Sequence, residues 1–407
     1  MEQLYIDLEN YLGIGTDSVP LVVRLAIAVL ALGTIFLLAP ILTIWVERKV
    51  AARFQNRIGP NRTGPFGLLQ SFADVLKLIG KEQIMPAHAD RIPFLFAPLL
   101  MVVSVIMITA VIPLMPNYIG ADLSIGAIYF VAIGSLSTIA VVMAGWGSNN
   151  KYALLGAFRT VAQLISYEIP LVFSLLVPVL FAGTMSMVGI TQAQVDLDYW
   201  YIFLAPASFL IFLFSNLAEI GRTPFDLLEA ESELVAGYQI EYSAMPWGMF
   251  MLSEFLHAFL IGPLVAVLFL GGWDGPFAED VPVLGVVYLV IKSLAVYFLG
   301  MWMRATLPRF RIDQLMEFNW KFLVPLSIAN LLIASFLWEL FPEPTGGGLI
   351  DNFLRFVVMG GSSLITLMVG LEFLRRKSVE DRERIARLID EKNYPLATAD
   401  QTGAAGD

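Results

Sequence analysis

The 407-residue chain has no cysteine and only two histidines, His88 and His257. Without cysteine it forms no disulfide and holds no thiolate-ligated iron–sulfur cluster. A bis-histidine haem held by one chain would need the only two histidines to meet. Gly13 and Gly15 are an isolated pair lacking the third glycine of a dinucleotide fingerprint. No redox or nucleotide chemistry is therefore visible, no bound metal or flavin is expected, and electrons must come from a partner. Charged residues make up 15% of the chain, with a net charge of −10, which gives no reason to expect a nucleic-acid partner. The first twenty positions carry Glu2, Asp7, Glu9 and Asp17 without a basic cluster, so a cleavable signal peptide is not expected.

What is present is apolar length. The composition is 57% hydrophobic with a mean hydropathy of +0.74. Stretches of lipid-spanning length fall near 21–45, 94–115, 125–145, 168–190, 200–218, 248–272, 283–303, 322–341 and 352–374. The fold class expected is an all-α polytopic membrane protein with about nine transmembrane helices. Residues 1–374 form one membrane domain and 375–407 a charged tail. All eight tryptophans fall at or near the span ends, where amphipathic rings settle. With the N-terminus outside, segments 46–92, 146–167, 219–247, 304–321 and the tail from 375 hold 22 of the 25 lysines and arginines. The outside loops 116–124, 191–199, 273–282 and 342–351 hold none, which is the positive-inside pattern. A bacterial cytoplasmic membrane, with the C-terminus cytoplasmic, is the expected location.

The sharpest chemical feature is acidic. Glu229, Glu231 and Glu233 alternate between two apolar runs, and Asp226, Glu229 and Glu233 fall on one helical face. Glu219 and Arg222 extend that spacing backwards, with Pro224 expected to interrupt the helix. Charge this dense beside hydrocarbon is costly and calls for a relay or a charged cavity. Crowded carboxylates repel, so some are expected to titrate above the free value. Glu168 precedes Pro170, where local unwinding is expected to open carbonyls to a cavity. Glu254 is followed three residues later by His257; without a second such pair, a hydrogen-bonded carboxylate is favoured over a metal half-site. Lys292 is expected to pair with an acid of the bundle. A solvated acidic loop touching a basic partner is a real competitor for Glu241 and a poor one for Glu219 and Glu254.

The first inside loop runs from Glu47-Arg48-Lys49 through Arg57-Ile58-Gly59-Pro60-Asn61. From Gly67, Leu68, Phe72, Val75, Leu76 and Ile79 repeat at helical spacing, opposite Gln70, Asp74, Lys77 and Lys81. That pattern predicts an amphipathic helix lying in the interface. For any one base between 48 and 62, membrane orientation is the default role; Glu47 has no such explanation. The fourth inside loop, Arg304 to Gln314, carries further basic charge.

Together these loops resemble the quinone-proximal membrane subunit of respiratory complex I, the H-subunit family of NADH-quinone oxidoreductase. The motifs are Glu47-Arg48-Lys49, Arg57 to Asn61, Gly67 to Gln70 with Asp74 and Lys77, Arg159 to Glu168, Arg222 to Tyr242, and Arg304 to Asp313. They span nearly all of residues 20–330; Phe255 stands where the family usually has tyrosine, the tail is long, and Lys292 falls on no family motif. The resemblance implies the membrane side of a ubiquinone or menaquinone chamber, quinone being a substrate. It implies soluble partners carrying the terminal iron–sulfur cluster and the rest of the quinone site, plus antiporter-like and small membrane subunits. Glu168, Glu219, Glu229, Glu231, Glu233 and Glu254 would form the proton path. Arg48, Arg57, Asp74, Lys77, Phe225, Asp226, Arg304 and Arg311 would sit near the chamber or its mouth.

Two rivals account for part of the pattern. The homologous subunit of an energy-converting hydrogenase would pass electrons to protons, and a stand-alone proton-coupled transporter would need no partner. The latter leaves the long 46–81 segment without a reason, and a purely structural anchor leaves Glu219 and Glu254 without one.

Overall fold

The computed structural model describes residues 41–114, 120–197, 199–227, 236–276, 278, 282–340 and 349–393. Within them the chain is helical: α1 (41–54), α2 (Gln70–Gly80), α3 (Arg91–Ile108), α4 (Gly126–Gly147), α5 (Lys151–Ala182), α6 (Met187–Asp196) and α7 (Tyr201–Leu204). There follow α8 (Pro206–Ile220), α9 (Ala244–Phe269), α10 (Pro282–Thr306), α11 (Ile312–Phe318), α12 (Val324–Leu340) and α13 (Leu349–Asn393). Among the described residues, seven helical stretches are long and apolar enough to cross a membrane. The chain is thus an all-α polytopic membrane protein. Most of the expected first span lies outside the described residues, as do Glu229, Glu231 and Glu233.

The packing has two centres. Helix α5 lies against α4, α8 and α12, and α9 lies against α2, α3, α8 and α10. Lipid gives apolar helices no hydrophobic reason to associate, so close backbone approach has to supply the contact energy. Small residues permit it. A Cβ on Gly262 of α9 would lie 2.4 Å from the Ser293 carbonyl oxygen of α10, and one on Gly156 of α5 would lie 2.6 Å from Gly237.

Two expected boundaries change. The fourth span begins at Lys151, far ahead of 168, because the Asn150 side chain caps the helix by accepting from the Tyr152 N–H at 2.9 Å. It ends at Gly183, whose φ of +64° gives the left-handed cap glycine favours. The helix passes through Pro170 and Pro178 without interruption, so the unwinding expected beside Glu168 does not occur; in a packed bundle neighbouring groups compensate a lost backbone bond. The fifth span is instead broken at Ala205, ahead of Pro206. The freed Ala207 N–H donates to Ser363 Oγ of α13 at 3.0 Å. Helix α13 itself continues past residue 374, so span and charged tail share one rod.

Lys292 also departs from expectation. Its ammonium donates to the carbonyl oxygens of Leu270, Gly272 and Asp274 at 2.6, 3.2 and 2.7 Å, and sits 4.4 Å from the Trp200 ring centre. The last turn of α9 leaves carbonyls unpaired and carries the negative end of the helix dipole, so it takes the cation that a carboxylate was expected to hold. The Asp274 carboxylate, which accepts from Trp200 Nε1 at 3.0 Å, adds a longer-range attraction.

Candidate functional site

The site lies at the end of the bundle that carries the basic loops. Glu47, on α1, is buried and holds three donors: the guanidinium groups of Arg222 and Arg304, and the Tyr297 hydroxyl at 2.9 Å. Arg222 follows Gly221, whose φ of +73° ends α8 in a left-handed turn and lets the chain double back. Its Nε reaches Glu254 of α9 at 3.1 Å, and its guanidinium stacks 4.5 Å from the Phe255 ring centre. Two carboxylates and two guanidiniums thus meet in one group. Burial raises the Glu47 carboxyl, but Arg222 and then Arg304 outweigh it and hold the group below the usual carboxylate range. Glu47 is therefore an anion at neutral pH.

An open cavity of about 480 Å³ has Glu47 and Arg304 in its lining, with Arg48, Ala51, Phe54, Gln55, Arg57, Phe255 and Met301. Its size and its mixture of rings, aliphatic walls and convergent charges suit a small organic ligand. Arg48 is fixed by Asp74 at 2.6 Å, and Asp74 also accepts from Gln70 at 3.1 Å. Trp45 Nε1 donates to the Phe66 carbonyl at 3.1 Å and ties α1 to the turn before α2. Gly67, at φ +79°, takes that turn so close to Pro60 that a Cβ would sit 2.3 Å from its carbonyl oxygen. Phe72, Val75, Leu76 and Ile79 on α2 stay exposed, leaving one apolar side of this wall uncovered.

Beyond the cavity, the loops are stitched together. Phe310 N–H donates to the Pro224 carbonyl at 3.0 Å, and Phe225 packs against Tyr167 and Phe310 with ring centres 5.4 and 6.1 Å away. Tyr167 hydroxyl donates to the Leu315 carbonyl at 3.1 Å. Glu168 and Glu219 lie near enough to repel one another, and Asp226 lies within electrostatic reach of Glu254. Gly134 leaves room for the Glu219 carboxylate, whose Oε1 would be 3.3 Å from a Cβ there.

Of the residues expected around a chamber, Arg48, Arg57 and Arg304 share the cavity lining and Asp74 supports Arg48. Phe225 is buried in the aromatic seam behind it, next to Asp226. Lys77 is exposed and outside the lining, and Arg311 pairs with Asp313 at 3.0 Å in an exposed ion pair. Of the expected proton path, Glu168 with Glu219 form one group and Glu254 joins Arg222. Glu254 Oε1 accepts from Arg222, and among the described residues no three His, Asp or Glu side chains gather for a metal. Glu241 is not simply solvated, since Asn150 Nδ2 donates to it at 2.6 Å.

Arg222, Glu47 and Tyr297 lie outside the set of expected site residues. Arg222 carries a readable signal, as the single base in the 219–247 segment. Glu47 carries one as an acid with no topological duty. Tyr297 carries none.

The NADH dehydrogenase family model matches residues 26–335. A protein of Geobacillus kaustophilus, named as the H subunit of NADH-quinone oxidoreductase, is 51% identical over 293 residues, 72% of this chain and 87% of the relative. One of the same name from Dehalococcoides mccartyi is 46% identical over 329 residues, 78% and 91% of the two chains. Another from Bacillus thuringiensis is 49% identical over 300 residues, 73% and 89%. This chain belongs to the H-subunit family of NADH-quinone oxidoreductase.

Proposed function

We propose that the chain forms the membrane side of the quinone chamber in a proton-pumping NADH-quinone oxidoreductase and carries the acids that couple quinone reduction to proton translocation. The observation that supports this most is the shared use of Arg222. One guanidinium serves Glu47, in the lining of the cavity, and Glu254, which lies within electrostatic reach of Asp226. A quinone headgroup has two carbonyl oxygens that accept hydrogen bonds, and Arg48, Arg57 and Arg304 are donors around the same space. Quinone reduction takes up two electrons and two protons. Electrons come from the iron–sulfur cluster of a soluble partner. Negative charge developing on the headgroup attracts Arg304 and Arg222, weakens their hold on Glu47 and Glu254, and lets those carboxylates bind protons. Glu254, Asp226, Glu219, Glu168 and the acidic run Glu229, Glu231 and Glu233 then provide successive proton acceptors towards antiporter-like membrane subunits. The basic end faces the cytoplasm of a bacterial cell, by the distribution of lysine and arginine. A photoreactive quinone analogue tests the reading in the intact complex: crosslinks to residues 47–57 or 301–305, displaced by excess quinone, are expected, and labelling confined to other subunits rejects it.

A further inference from the structure

We propose that Thr160 and Gln163, on one face of α5, hold the water that carries a proton between the Asp226 loop and the Glu168–Glu219 pair. This deepens the acidic-path reading and rests on it. Thr160 and Gln163 are 0% and 1% exposed and three positions apart, so their side chains share a helical face. The Gln163 amide nitrogen donates to the carbonyl oxygens of Ala218 and Phe225 at 2.7 and 2.8 Å. These are the residues immediately before Glu219 and Asp226, so the amide ties together the backbone at the two stations of the path.

A carbonyl oxygen accepts and never donates, so those two bonds also settle which way the amide faces. Its Oε1 has no donor, and neither does the Thr160 hydroxyl have a partner, among the described residues. Buried polar atoms are paired in the great majority of cases. Two unpaired ones on adjacent turns, on the helix face that bonds the backbone next to Glu219 and Asp226, call for a small donor, and water is the smallest. A strap that merely pins the loop needs the amide nitrogen but neither the free oxygen nor the threonine hydroxyl. In the transfer, a carboxylic acid on the Asp226 side gives its proton to the water, which releases another to the Glu219 carboxylate. Water is regenerated and no electrons move. Thr160 and Gln163 are positioning residues.

Thr160→Val in the intact complex, reconstituted in liposomes, separates the two roles. The hydroxyl makes no hydrogen bond among the described residues and valine has nearly its shape, so a packing role predicts wild-type rates. We expect proton translocation and coupled quinone reduction to fall by about tenfold or more, with an enlarged solvent deuterium isotope effect. Thr160→Ser should return both to within about twofold of wild type. Wild-type rates and isotope effect in Thr160→Val overturn the proposal; if valine prevents assembly, Thr160→Ala is judged by the same criteria. Glu219→Gln is measured beside it. Loss in Glu219→Gln with none in Thr160→Val removes the water site and leaves the acidic path standing, whereas no loss in either removes the path itself.

Discussion

Arg222 Nε lies 3.1 Å from Glu254 Oε1, joining the turn after α8 to the middle of α9, and the same guanidinium holds Glu47 of α1. Both carboxylates depend on it, so the charge state of the cavity and that of the interior are tied through one side chain. Arg222 is 7% exposed, and removing one partner of a buried ion pair leaves the others desolvated and uncompensated.

Arg222→Met should therefore lower the stability of the assembled protein by about 3–5 kcal/mol and reduce quinone reductase activity sharply. Thermal unfolding of the purified complex measures the first and a steady-state assay the second. Arg222→Lys keeps the charge but cannot fork between two acids, so it should recover stability better than rate. Equal recovery of both speaks against the shared-guanidinium account.

Arg48 lines the cavity and Lys77 does not. The Arg48–Asp74 pair is partly exposed, and such pairs contribute roughly 0–1 kcal/mol, so Arg48→Ala should scarcely change stability. Its effect should appear as a raised KM for quinone. Lys77, outside the cavity lining, should leave KM unchanged when replaced by alanine. Parallel kinetics of the two variants decide the point: the same KM in both removes Arg48 from the chamber.

Lys292 completes three backbone carbonyls at the far end of α9. Lys292→Met strands those acceptors at about 1–3 kcal/mol in total, so the melting temperature should fall while KM for quinone stays unchanged. A change in KM without loss of stability would move Lys292 from a structural to a functional role.

The membrane spans and the basic end were legible because bilayer thickness and loop charge are one-dimensional properties of a sequence. The start of α5 was not. Residues 146–167 read as an inside loop, yet from Lys151 they are helical, and Ala153, Gly156, Thr160 and Gln163 are buried where α5 packs on its neighbours, α4, α8 and the 237–239 turn among them. Pro170 reads as a break because a proline removes one backbone bond, but a helix held by neighbours absorbs that. Arg48, Arg57 and Arg304 were legible as a group through motif resemblance. The burial of Glu47 and its contact with Tyr297, 250 positions later, follow only from how α1 and α10 meet. Lys77 and Arg311 carry motif positions but are exposed and do not line this cavity.

The acidic run is tested by Glu229→Gln combined with Glu231→Gln. Both changes keep size and hydrogen-bonding capacity while removing charge. Assembly should be unaffected, as judged by subunit composition of the purified complex, while quinone reductase rate and proton pumping fall. Unchanged coupled activity removes these two residues from the path.

In the proposed function Glu254 links the cavity to the interior acids through Arg222, and Glu254→Gln can still accept from Arg222. NADH-driven proton translocation by that variant complex in sealed liposomes, recorded alongside quinone reduction, is the most direct measurement. The account predicts that both rates drop by about tenfold or more in a fully assembled complex. Wild-type translocation at wild-type turnover would contradict it.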